Sequence, residues 1–255
     1  MKSTIHLIDV TDFTLPDGTK STDWFRDAFR ALDLLGEVDL FSHDGVSGEL
    51  PAAAAAAGER RGIIVSGSAG AVFEDKPWIA PLLAFLREAH ERNAWILGVC
   101  FGHHALATAL GGEVTFNPRG REMGSVSVHL TPEGERSPLF SGFVSGDLAN
   151  IVHRTHVSRM PAGAVRLAFN QMTATQAFQL GRSFGVQPHP EITPAQLRGL
   201  VELYGRILTG KEHFLDDREH LENFKRTFRE TPSFRLILRN FVRIISGDRD
   251  PHAEP

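Results

Sequence analysis

The sequence predicts an α/β protein with a mostly parallel sheet, an added antiparallel strand region and C-terminal helices. Three observations carry that reading. Short apolar runs alternate with helical patterns from Ile5 to Leu110, an order that gives a parallel sheet with helices on both faces. Two of the runs, Gly62–Val65 and Ala94–Val99, are apolar without polar alternation, as expected for strands covered on both sides. Beyond Gly111-Gly112 the pattern changes to shorter strands separated by turn residues.

The elements follow in order. Ile5–Val10 has strand character. Thr22–Gly36 carries Trp24, Phe25, Phe29, Leu32 and Leu35 at helical spacing, with Gly36 as its end. Val38–Phe41 reads as a second strand. Leu50-Pro51, six alanines and Gly58 suit a short helix with Pro near its start and Gly past its end. The strand Gly62–Val65 stops at the small residues Ser66 to Gly70. Pro77–Arg92 has helical periodicity, Ala94–Val99 is a buried-type strand, and Phe101–Leu110 is helical. Later strands are expected at Ser125–Leu130, Ala149–Val152, Val165–Asn170, Thr175–Leu180 and Ser183–Val186. Thr193–Leu208 is a helix with Thr193 as N-cap and Pro194 in its first turn. After a break at Thr209-Gly210-Lys211, Glu212–Arg229 and Ser233–Ile245 read as two more helices, and Asp248–Pro255 as a frayed tail. No repeat or linker divides the chain, so a single domain over residues 1–255 is expected, with residues 210–255 as a helical extension.

Composition excludes several function classes. With 42% hydrophobic residues spread along 255 positions, disorder is not the main state. Twenty-seven Lys and Arg stand against 31 Asp and Glu, a net charge of −4, so no global field gathers nucleic acid or anionic lipid. One cysteine, Cys100, excludes a disulfide within the chain and leaves almost no basis for a cysteine zinc site. The N-terminus MKSTIHLIDV lacks the apolar core of a signal peptide, and no apolar run approaches the ~18 residues of a membrane span. The expectation is no membrane partner and a reducing, cytoplasmic location, where a lone thiol stays free. A lone cysteine is more often a small buried hydrophobe than a nucleophile, so its surroundings decide.

Those surroundings are Gly98-Val99-Cys100-Phe101-Gly102, between a buried strand and a helix. Gly-x-Cys-x-Gly has the form of a nucleophile elbow. The nucleophile sits on a tight strained turn, and side chains two residues to either side would collide, so both positions are glycine. The turn pushes the sulfur out at the carboxyl end of the sheet, beside a helix N-terminus that favours thiolate. The Phe101 N–H is left to face an oxyanion. A thiol nucleophile needs a base. Among 12 histidines, His189 stands out in Gln187-Pro188-His189-Pro190-Glu191, stiffened by two prolines, with Glu191 two residues on to orient the imidazole. Ile63-Ile64-Val65-Ser66-Gly67-Ser68 ends a strand in small residues. If that strand neighbours the Cys100 strand, Gly67 N–H is a second oxyanion donor, and Ser68 beside it is a substrate-binding candidate.

Taken together, the stretches IIVSGSAGAVFEDKPWI (63–79), ILGVCFGHHALATALGG (96–112) and FGVQPHPEIT (184–193) resemble the class I glutamine amidotransferase family in order and spacing. NPRGREMG (117–124) and RLILRNFV (235–242) are similar to its stand-alone, γ-glutamyl-peptidase-like branch. The resemblance implies a flavodoxin-like doubly wound sheet and a triad of Cys100 as nucleophile, His189 as base then acid, and Glu191 orienting it. It implies hydrolysis of glutamine or another γ-glutamyl amide through a γ-glutamyl thioester, with Gly67 and Phe101 as oxyanion donors and no cofactor. Two positions depart from the family pattern. His104 stands where the family has a glutamine that helps hold the substrate, and in His153-Arg154-Thr155 a threonine takes the place of an acid able to pair with an α-ammonium group. His104, His153 and Thr155 are therefore candidate substrate-binding residues.

Three readings follow. The first is a cysteine amide hydrolase, acting alone or passing ammonia to a separate synthetase or acceptor subunit, with a homodimer left open. The second is a non-catalytic or retuned binding or regulatory protein on the same fold, its pocket altered at His104 and Thr155. The third, a metal site from His103, His104, His153 and His156, is disfavoured because adjacent histidines on a helix, and His153 and His156 on a strand, point to different faces.

Overall fold

A computed structural model of the chain describes residues 1–13, 18–206, 208–209, 214–215 and 217–247. In chain order the elements are β1 (Ser3–Asp9), α1 (Ser21–Ala31), β2 (Val38–Asp44), α2 (Ala53–Ala56), β3 (Arg61–Val65), α3 (Ile79–Glu91), β4 (Trp95–Val99), α4 (Phe101–Ala109), β5 (Glu113–Phe116), β6 (Glu122–Ser127), β7 (His129–Leu130), α5 (Pro132–Arg136), β8 (Leu148–His153), β9 (Thr155–Arg159), β10 (Val165–Phe169), β11 (Ala177–Leu180), β12 (Ser183–Val186), α6 (Pro194–Arg206), α7 (Arg218–Lys225) and α8 (Pro232–Ser246).

Eight strands form a central sheet in the order β2-β1-β3-β4-β12-β11-β10-β7. The first five are parallel. The last three turn antiparallel. This is the doubly wound, flavodoxin-like arrangement, extended at one edge by the antiparallel strands. Alternation along the central strands fills both faces. Ile5, Leu7, Ile64 and Leu97 pack with α1 and α8. Ile8, Ile63, Val65 and Ile96 pack with α3 and α4. Strands buried on both faces cannot tolerate polar alternation, which explains their continuous apolar runs.

Helix α8 belongs to the core. Phe234, Ile237, Leu238, Phe241, Val242 and Ile245, three and four apart, are all buried. Phe241 lies over Gly62 of β3, where a Cβ would meet its ring at 3.0 Å. The residues read as a C-terminal extension therefore complete one sheet face. Helix α6 starts as its sequence requires: the Gln196 amide accepts the Thr193 N–H at 2.7 Å, and the Thr193 hydroxyl accepts the Gln196 N–H at 3.3 Å.

Several expected boundaries are corrected. Helix α1 ends at Ala31, not Gly36, because Asp33 adopts φ 58° and closes a Schellman turn, with Leu34 N–H donating to Phe29 O at 2.9 Å. The expected strand Ser125–Leu130 is two strands in different sheets. Strand β6 pairs with β8 in a two-stranded ribbon, and β7 pairs with β10 at the sheet edge. Between them the Val128 N–H turns aside to Asp147 O at 3.0 Å. A second ribbon, β5 with β9, was not foreseen. Helix α7 is shorter than Glu212–Arg229 and starts at a cap, the Asp217 carboxylate accepting the His220 N–H at 2.8 Å. Positions 210–213 and 216, and the expected tail 248–255, lie outside the described residues. Among the described residues no helix is long and apolar enough to cross a membrane.

Candidate active site

Strands β3, β4 and β12 lie side by side, and the residues following their carboxyl ends meet at one edge of the sheet. Cys100 follows β4 with φ 53° and ψ −102°, a backbone conformation that costs an L residue free energy. The turn is held by Cys100 N–H to Val186 O at 2.9 Å and Gly102 N–H to Ser66 O at 3.1 Å. Sterics dictate the flanking glycines. A Cβ on Gly98 would sit 2.3 Å from Gly102 O, and one on Gly102 would sit 2.4 Å from Val65 O. Gly67 after β3 backs the same point: its Cβ would meet His189 Cε1 at 3.0 Å and Cys100 Cβ at 3.6 Å. Phe101 supplies the first N–H of α4, a position without an intrahelical acceptor.

His189 follows β12. Its backbone N–H donates to Asn150 O at 2.8 Å, and Asn150 is itself fixed through its side chain to Ser125 and to Ile192 O. The His189 Nδ1 lies 2.7 Å from Glu191 Oε1, both side chains buried. Burial disfavours the charged imidazole, but the Glu191 carboxylate and the Cys100 sulfur outweigh it and push the His189 pKa up to about 10. At neutral pH the ring is an imidazolium beside a sulfur, whose Sγ also lies 3.5 Å from Val152 O. The structure thus brings Cys100, His189, Glu191, Gly67 and Phe101 together. A sulfur, a proton donor held by a carboxylate and nearby backbone N–H groups are the parts acyl transfer uses.

A cavity of about 290 Å³ opens onto this group. His104, His153, Thr155 and Ser68 all line it, but each has a prior engagement. The Ser68 hydroxyl donates to Asp12 Oδ1 at 3.0 Å. His104 Nε2 lies 2.6 Å from Gln187 Oε1, and its Nδ1 lies 3.3 Å from the Thr155 hydroxyl. Burial, reinforced by the neighbouring His103 and His153 rings, holds the His104 pKa well below 6.5, so the ring is neutral. One consistent assignment has Thr155 donating to Nδ1 and Nε2–H donating to Gln187.

His153 has a partner that sequence reasoning missed. Its Nε2 is 3.0 Å from Glu122 Oε2 and its Nδ1 is 2.8 Å from Thr155 O. Glu122 also accepts from Thr173 at 2.9 Å, from Gln176 at 3.0 Å and from Asn170. Burial would raise its pKa, but His153 and these donors lower it below the usual carboxylate value. The Glu122–His153 contact is a cross-strand pair in the β6–β8 ribbon. Nothing local in the sequence announces that pairing. The motif REMG marked the segment without giving Glu122 a task.

The family model for class-I glutamine amidotransferases matches residues 27–200. The chain is 29% identical to γ-glutamyl peptidase 4 of Arabidopsis thaliana over 61% of its own length, and the match spans 63% of that protein, just under two thirds. It is 28% identical to a glutamine-hydrolyzing GMP synthase of a Nitratiruptor species over 59% of its length and 29% of that protein. The crystal structure of a glutamine amidotransferase from Thermotoga maritima superposes with a TM-score of 0.72 at 19% identity, covering 96% of this chain and 99% of the other, which establishes a shared fold. A family match over well over half of the chain, on a fold shared along nearly all of it, means that the chain belongs to the class-I glutamine amidotransferase family.

Proposed function

We propose that this chain is an amide-hydrolysing enzyme that uses Cys100 as nucleophile on a γ-glutamyl amide. The observation that carries the reading is the His189–Glu191 pair, 2.7 Å apart and buried, beside a cysteine on a strained strand-to-helix turn. That turn has the shape of a nucleophile elbow. The relative named γ-glutamyl peptidase supports the choice of bond.

The reaction then runs in two halves. The Cys100 thiolate forms a C–S bond to the amide carbon, and the oxyanion faces the N–H groups of Gly67 and Phe101. The His189 imidazolium gives its proton to the departing nitrogen, so the C–N bond breaks and ammonia or an amine leaves. The now neutral His189 takes a proton from water, whose oxygen attacks the γ-glutamyl thioester. The acid is released, and thiolate and imidazolium are restored. Glu191 holds the ring in position and stabilises its charge. Release of the amine to solvent needs no second protein. The match to a GMP synthase supports a second outcome, ammonia passed to a synthetase supplied by another subunit.

The test is turnover of a chromogenic γ-glutamyl anilide and of its α-N-acetyl form, read as released aniline, with intact-mass detection of the acyl-enzyme. Wild type should release aniline and show an acyl adduct at Cys100. Cys100→Ser should lose about 10³-fold or more in kcat, the scale seen when a nucleophile is removed. A Cys100→Ser variant of full activity overturns the nucleophile assignment.

A further inference from the structure

The Glu191 carboxylate is held on one side only. Its Oε1 meets His189 Nδ1 at 2.7 Å, while its buried Oε2 has no hydrogen-bond partner among the described residues. A side chain with one partner cannot place itself, so the main chain from His189 to Ile192 has to place it. Pro188 and Pro190 stiffen that turn. From outside, one residue grips both of its ends. The Asn150 carbonyl accepts the His189 N–H at 2.8 Å, and the Asn150 side-chain amide donates to Ile192 O at 2.9 Å.

The amide has to face the right way to do this, and Ser125 sets its orientation. Ser125 stands directly opposite Asn150 in the β6–β8 ribbon. Its Oγ accepts the Arg229 N–H at 2.8 Å, and its own proton goes to the closer acceptor, Asn150 Oδ1 at 2.7 Å rather than Arg229 O at 3.4 Å. With Oδ1 taken by a donor, Nδ2 is the atom turned to Ile192. Donors and acceptors thus run in one direction, from the backbone between α7 and α8, through β6 and β8, to the turn that carries His189 and Glu191. Asn150 is 1% exposed, so water does not replace a lost partner there.

Resting on the reaction proposed above, we infer that Asn150 is a positioning residue, whose amide, oriented by Ser125, holds the turn so that Glu191 reaches His189. The consequence is specific to the imidazolium. Burial lowers the His189 pKa, Glu191 is the first of the groups that raise it, and Cys100 on the β4–α4 junction is the second. Glu74, His104, Arg121, His153, Arg154 and Tyr204 also line the cavity and stay unchanged in the variants below. A loosened turn therefore reads out as a weaker Glu191 contribution to the charge of His189.

The experiment measures kcat and KM against pH for wild type, Asn150→Leu and Ser125→Ala on the γ-glutamyl anilide, beside thermal melting of each protein over the same range. Leucine keeps the size of the Asn150 side chain and removes both amide contacts, whereas alanine at position 125 removes only the hydroxyl that orients the amide. Asn150→Leu should lower kcat by about tenfold, leave KM within about twofold of wild type and move the alkaline limb down by about one pH unit, the scale of one hydrogen bond. Ser125→Ala should move the limb in the same direction by less. A lowered melting temperature with kcat unchanged and the limb unmoved overturns the inference and leaves the hydrolase reading standing, since Asn150 would then be scaffold alone. Where Asn150→Leu does not fold, Ser125→Ala decides by the same two readings. No turnover by wild type and no acyl adduct at Cys100 overturns the hydrolase reading and this inference with it.

Discussion

Burial alone would keep His189 neutral, and the Glu191 carboxylate 2.7 Å away reverses that. The sign of the consequence is fixed. A pKa raised from 6.5 to about 10 means that the charged ring stabilises the fold fully below pH 6.5, and that this contribution fades as pH climbs through 10. In the proposed reaction the same imidazolium is the acid, so activity should hold to high pH and fall on an alkaline limb. Glu191→Gln removes the largest raising cause while burial remains, and the limb should move down by several pH units, towards or below 6.5. A pH–rate profile of amide hydrolysis, run beside thermal melting over the same range, separates loss of the acid from loss of the fold. An unmoved alkaline limb would show that Glu191 does not set the charge of His189. Cys100, His189 and Glu191 were legible in the sequence because each lies in a short local motif. Glu122 and Asn150 were not, because they act through strand pairing and through a backbone contact to a residue far along the chain.

The β4–α4 junction is the element whose sequence and geometry are most tightly bound. Its two glycines have no room for a methyl group, and Cys100 between them keeps a positive φ that glycine would adopt freely. That strain can be isolated by comparing two variants that both lack sulfur. Glycine is ordinarily the weaker residue by roughly 0.5–1 kcal/mol in regular structure. Here Cys100→Gly should be more stable than Cys100→Ala by about 1–2 kcal/mol, because alanine keeps the strain and glycine relieves it. Urea unfolding of the two proteins reads the difference, and alanine as the more stable variant would mean that the turn stores no strain. The central strands and long helices were legible from periodicity, whereas helix ends depended on cap geometry. Asp33 and Asn93, both at φ 58°, close α1 and α3 where no glycine stands to mark the stop. The β5–β9 ribbon escaped notice, and 125–130 and 149–152 read as strands without revealing that β6 pairs with β8, because in each ribbon the partner lies tens of residues away.

At the scale of the molecule, the proposed chemistry is divided between parts of unequal burial. Cys100, Gly67 and His189 hang from β4, β3 and β12, in the interior of an eight-stranded sheet with α1 and α8 on one face and α3 and α4 on the other. His153 and Thr155, which also line the cavity, sit on two-stranded ribbons outside that sheet. Two strands alone are marginally stable, so these ribbons borrow their stability from what they pack against. Opening should therefore occur in stages, the ribbons at lower free energy and the parallel strands only with global unfolding. Hydrogen exchange read by mass spectrometry should show amides of β3 and β4 as the slowest in the chain and those of β5 and β9 exchanging well before them. A bound amide substrate that contacts both parts should slow β8 and β9 more than β3 and β4, because it ties the less stable side of the cavity to the rigid one. Uniform exchange across ribbons and sheet would mean a single cooperative unit. In that case the ribbon side of the cavity would be as preorganised as the thiol, and substrate binding would find its walls already in place.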